Sequence, residues 1–91
     1  MEKNQALIDK LPKGDIDAFK FFFESFYPSL CLFANRYLND DDASLDMVQD
    51  AFAFLWSKKI DFPSLDSAKS YLFKYVKNRS LNYLRDKQSR D

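Results

Sequence analysis

Ninety-one residues leave room for one hydrophobic core and no second, with ten Phe, five Tyr and one Trp to fill it. One Gly and three Pro provide few positive-φ turns for hairpins, while no His and a single Cys exclude a zinc cluster, a histidine-based triad and an intrachain disulfide. Fourteen cations cancel fourteen anions overall but not locally: residues 39–66 carry seven Asp against Lys58 and Lys59, and residues 67–91 carry seven Lys or Arg against Asp86 and Asp91.

The composition predicts an all-α domain spanning 1–91, a small helical bundle of three main helices plus a short N-terminal helix. Residues 1–14 form that short helix and a turn closed by Pro12 and Gly14. Asp15 then caps a helix over 15–38, whose Phe19, Phe22, Phe23, Phe26, Leu30, Phe33 and Tyr37 recur at helical spacing. Pro28 lies inside it and predicts a kink near Phe23–Tyr27. Asp40 to Asp42 cap the next helix, 40–59. Residues 60–66 read as a loop, and Asp66 as the cap of a last helix over 67–88. Cys31 falls among packing positions.

Each of the last two helices has two unlike sides. On the third, Met47, Val48, Ala51, Phe54 and Leu55 form a core stripe, whereas Leu45, Asp46, Gln49, Phe52, Ala53 and Trp56 share the other side, with Asp50 at its edge. Large apolar groups among carboxylates call for a cover, either the first helix folding back or a basic, apolar partner anchored on Trp56. On the last helix Leu72, Phe73, Val76, Ser80, Tyr83 and Leu84 read as core. Opposite them Tyr71, Lys74, Tyr75, Asn78, Asn82 and Arg85 interleave rings, amides and cations. Such a face either is solvated or holds nucleic acid, with cations on phosphates and rings stacked on unpaired bases. The acidic and basic surfaces are expected at opposite ends of the bundle.

Leu45-Asp46-Met47-Val48-Gln49-Asp50-Ala51-Phe52 with Trp56, then Tyr71 through Arg79 and Asn82-Tyr83-Leu84-Arg85, together with Phe33 to Leu38, resemble region 2 of bacterial RNA polymerase sigma factors of the extracytoplasmic-function type. The resemblance runs from about Ile16 to Arg90. It implies that Asp46, Gln49, Asp50, Phe52 and Trp56 dock on a coiled coil of the polymerase β′ subunit. It further implies that Tyr71, Lys74, Tyr75, Asn78, Arg79, Asn82 and Arg85 melt and hold the non-template strand of the promoter minus-ten element. Loop residues Phe62 and Ser64 would then help to form a pocket for a flipped base. The chain departs from the family at Tyr71, usually Trp, at Asn82, usually Asp, and in its mixed last turn Arg85-Asp86-Lys87-Gln88, which implies weak affinity for DNA alone.

The family's second domain, which reads the minus-35 element, is not in this sequence, so an isolated domain is expected. No cofactor, metal site or catalytic residue is expected either: the sequence has no Gly-rich phosphate loop, ligand cluster or nucleophile with its base. No stretch is apolar enough to span a membrane, and the charged start Met1-Glu2-Lys3-Asn4 and lone thiol favour the cytoplasm. The resemblance also allows an anti-sigma factor as a partner. The competing reading is a helical protein-interaction module with no nucleic-acid role.

Overall fold

A computed structural model describes residues 2–90, with side chains from Gln5 to Gln88. Among the described residues the chain forms α1 (Glu2–Lys10), a 3-10 turn at Leu11–Lys13, α2 (Ile16–Leu38), α3 (Asp41–Lys58) and α4 (Leu65–Arg90). The boundaries follow local chemistry. Gly14 takes φ 77° and its N–H donates to the Leu11 carbonyl at 3.1 Å, turning the chain into α2. Asp15 Oδ1 accepts the Ala18 N–H at 2.9 Å, and Asp40 Oδ1 accepts the Ala43 N–H at 3.1 Å, so α2 and α3 start at the expected caps. Asn39 and Lys59 end α2 and α3 in the left-handed region, at φ 50° and 54°.

One boundary differs from expectation. The cap of α4 is Ser64, whose Oγ accepts the Ser67 N–H at 3.2 Å, and Asp66 lies inside the first turn. Helix α2 is a single element over Ile16–Leu38 with Pro28 inside it. Proline has no N–H to give the carbonyl of Glu24, and both residues are exposed, so water is available to that carbonyl.

The three long helices run up, down and up. Phe23 and Tyr27 of α2 meet Phe52 of α3, Phe33 of α2 meets Phe73 of α4 at 4.9 Å, and Phe54 of α3 meets Tyr75 of α4. Phe22, Leu30 and Ala34, then Val48, Ala51 and Leu55, then Ala68, Leu72 and Val76 fill the space between them. Ile8 and Leu11 close one end. Among the described residues α1 packs on α2 and α4 and only the turn Leu11–Lys13 that follows it reaches α3, so helix α1 itself is not the cover of the mixed α3 face. Part of that cover comes from α2 instead.

Candidate functional site

Asp46, Gln49 and Asp50 of α3 are exposed, and Leu45 is partly so. Phe52, expected beside them, is only 2% exposed. Phe19, Phe23 and Tyr27 surround its ring, with centroids at 6.1, 5.1 and 6.5 Å. It therefore supports the surface from beneath. Trp56 is half-buried. Phe19 meets its ring edge-on at 5.0 Å, and the Lys59 ammonium lies 4.4 Å from its centroid.

On α4, Lys74, Asn78, Arg79, Asn82 and Arg85 are exposed, and Tyr71 and Tyr75 are half-buried. Each tyrosine rests on a phenylalanine from another element. Tyr71 lies 5.3 Å from Phe62 of the loop, and Tyr75 lies 5.0 Å from Phe54 of α3 at an interplanar angle of 31°. Phe62 is only 6% exposed, so its ring backs Tyr71 and is not open to a flipped base. The hydroxyl of Ser64 is engaged in capping α4 and lies 3.1 Å from that of Ser67. Burial raises the Tyr71 phenol above its ordinary value of 10.0, and the nearby Tyr75 phenol adds to the shift. Arg85 pairs with Asp86 at 3.6 Å.

Tyr83, expected in the core, is 40% exposed. It lines an open cleft of about 540 Å³ with Asp42, Asp46, Asp50, Arg79 and Asn82. The acidic and basic surfaces therefore adjoin along the α3–α4 seam and do not occupy opposite ends. Asp50 and Arg79, both more than half exposed, pair across it at 3.6 Å.

Two further residues belong to this surface. Leu81 is exposed, and at 100° per residue it falls between Lys74 and Lys77, a position the helical period already gives. Phe54 falls on the core stripe of α3 by its spacing, and its partner Tyr75 on another helix is invisible to a period.

Cys31 is half-buried. Burial raises its thiol above the ordinary 9.0, against a smaller opposite pull from a hydrogen bond with Tyr27, so its nucleophilic thiolate is disfavoured. Among the described residues no group of three or more His, Cys, Asp or Glu is placed to hold a metal ion, and no helix is long and apolar enough to cross a membrane.

What the arrangement offers is adsorption: a carboxylate and amide surface on α3 beside a ring and cation surface on α4. The family model for sigma-70 region 2 matches residues 22–90, which takes in α3, α4 and most of α2. No curated protein and no solved structure matches the chain. The matched span contains both surfaces, and the chain belongs to the sigma-70 region 2 family, whose domains serve promoter recognition and RNA polymerase binding in transcription initiation.

Proposed function

We propose that this domain, of the extracytoplasmic-function type, holds the β′ coiled coil of core RNA polymerase through Asp46, Gln49, Asp50 and the open part of Trp56. In the same reading its α4 strip captures the non-template strand of the minus-ten element. The observation that carries this is the strip itself: Lys74, Asn78 and Asn82 stand exposed beside two tyrosines whose rings are already propped by Phe62 and Phe54. Cations there meet phosphates, amides meet base edges, and the phenol faces left open receive unstacked bases. Binding the strand only when it is unpaired shifts the duplex towards the open form without a chemical step. The domain works where the polymerase does, in the cytoplasm.

Docking is tested by pull-down with a β′ coiled-coil fragment. Asp46→Lys combined with Gln49→Ala should abolish capture, and capture equal to wild type would refute the α3 assignment. For the strip, Tyr71→Ala and Tyr75→Ala should each weaken single-stranded DNA binding by about 5- to 150-fold, the range set by loss of one stacked base. An equal loss on duplex DNA would count against strand capture. Failure of wild type to bind minus-ten single strands even with core polymerase present would favour a module that binds protein alone.

A further inference from the structure

We infer that Phe54 is a positioning residue for strand capture: its ring, on α3, sets the plane of the Tyr75 phenol on α4 against which an unstacked base lies. The inference rests on the reading of the α4 strip as a nucleic-acid surface.

The contacts around Phe54 form a ladder across the seam. Asp50, Phe54 and Lys58 lie four residues apart on one stripe of α3, and Tyr75 and Arg79 lie four apart on α4. The Lys58 ammonium stands 5.2 Å from the Phe54 centroid. Phe54 is tilted 31° against Tyr75 at 5.0 Å, the Arg79 guanidinium lies 5.8 Å from the Tyr75 centroid, and Asp50 holds Arg79 at 3.6 Å. Phe54 is half-buried, so it is neither a buried core ring nor a free surface one.

An aromatic ring on a solvated helix face samples more than one rotamer, and a base that stacks on it must first freeze it. A second ring packed beneath removes that freedom before the base arrives. Tyr71 receives the same treatment from Phe62, which is buried. The strip is thus two tyrosines set in place by two phenylalanines, one from the loop and one from α3.

The test is a double-mutant cycle on the full 91-residue chain. Anisotropy of a fluorescein-labelled, mixed-sequence single-stranded DNA is read at low salt and again with core RNA polymerase present. Phe54→Ala should weaken binding by about 2- to 12-fold, the range for losing one aromatic pair, and should have no further effect in a Tyr75→Ala background. Phe54→Tyr should restore wild-type affinity. Phe54→Leu, which keeps apolar bulk but not the flat ring, should behave as Phe54→Ala and covers the case in which alanine unfolds the domain. In the NMR spectrum the Tyr75 ring protons should lose their ring-current shift in both variants. The inference is overturned if Phe54→Leu weakens binding equally with and without Tyr75, or if Tyr75→Ala weakens binding and Phe54→Leu does not. If Tyr75→Ala leaves single-strand binding unchanged, the reading of the strip fails and this inference with it.

Discussion

The Ser80 hydroxyl sits fully buried on α4 with no hydrogen-bond partner, which leaves a polar group stripped of water and uncompensated. Ser80→Ala should therefore stabilise the domain by about 1 kcal/mol, read as a higher urea midpoint at unchanged slope. Tyr71 yields a second expectation. Its phenol is harder to ionise when folded than when unfolded, because burial disfavours the phenolate. The stability this gives is full below the ordinary tyrosine value of 10.0 and is lost as pH rises through the higher folded value. Cys31, raised from 9.0, acts in the same direction starting at lower pH. The urea midpoint should fall from pH 9 to 11. In Tyr71→Phe the upper part of that fall should flatten, and an unchanged profile would show that Tyr71 is not the titrating group. At this scale the sequence marks residue types well and exposure poorly. Phe52 and Trp56 share one side of α3, yet Phe52 is sealed by Phe19, Phe23 and Tyr27 while Trp56 is only half covered, because a helical period says nothing of what the neighbouring helix supplies.

Between elements, the α2–α3 turn depends on one amide. Asn35 Oδ1 accepts the Asp40 N–H at 2.8 Å and lies 3.3 Å from the Ser44 hydroxyl, which donates to the Asp40 carbonyl at 2.8 Å. The Asn35 backbone carbonyl also accepts the Asn39 N–H at 2.9 Å and closes α2. Asn35→Ala keeps that backbone bond and removes the side-chain acceptor, so it should cost about 1 kcal/mol of unfolding free energy in urea. Asn35→Asp should retain most of it. This tether could not be read from periodicity, since Asn35 is neither apolar nor at a cap. The caps of α2 and α3 could, because Asp15 and Asp40 stand just before the helical patterns that they start. For α4 the expected cap, Asp66, lies two residues too far along. The half-buried Leu65, packed on the core, begins the helix and leaves Ser64 at the cap.

Across the whole molecule the governing fact is that the acidic and basic segments are antiparallel neighbours. Charge blocks are plain in the sequence, but their meeting depends on the α3–α4 pairing that sets Phe54 on Tyr75 and Asp50 against Arg79. A cation held by a carboxylate is less free for phosphate. With both partners more than half exposed the pair is screened, so its release changes affinity modestly. Asp50→Asn removes the charge and keeps the shape. It should raise affinity for single-stranded DNA by about 1.4- to 5-fold at low salt, the equivalent of a surface ion pair of roughly 0.2–1 kcal/mol. If Arg79 then neutralises one further phosphate, the plot of log affinity against log salt should steepen by about 0.7. In an Arg79→Gln background Asp50→Asn should lose most of its effect, leaving only the long-range repulsion of DNA by one carboxylate. An equal gain in both backgrounds would mean that Asp50 acts through its general field and that the pair across the seam has no part in strand binding. A cationic partner seated on Asp50 would act on Arg79 in the same direction as the substitution, so the gain measured with Asp50→Asn bounds what docking at that residue contributes to strand affinity.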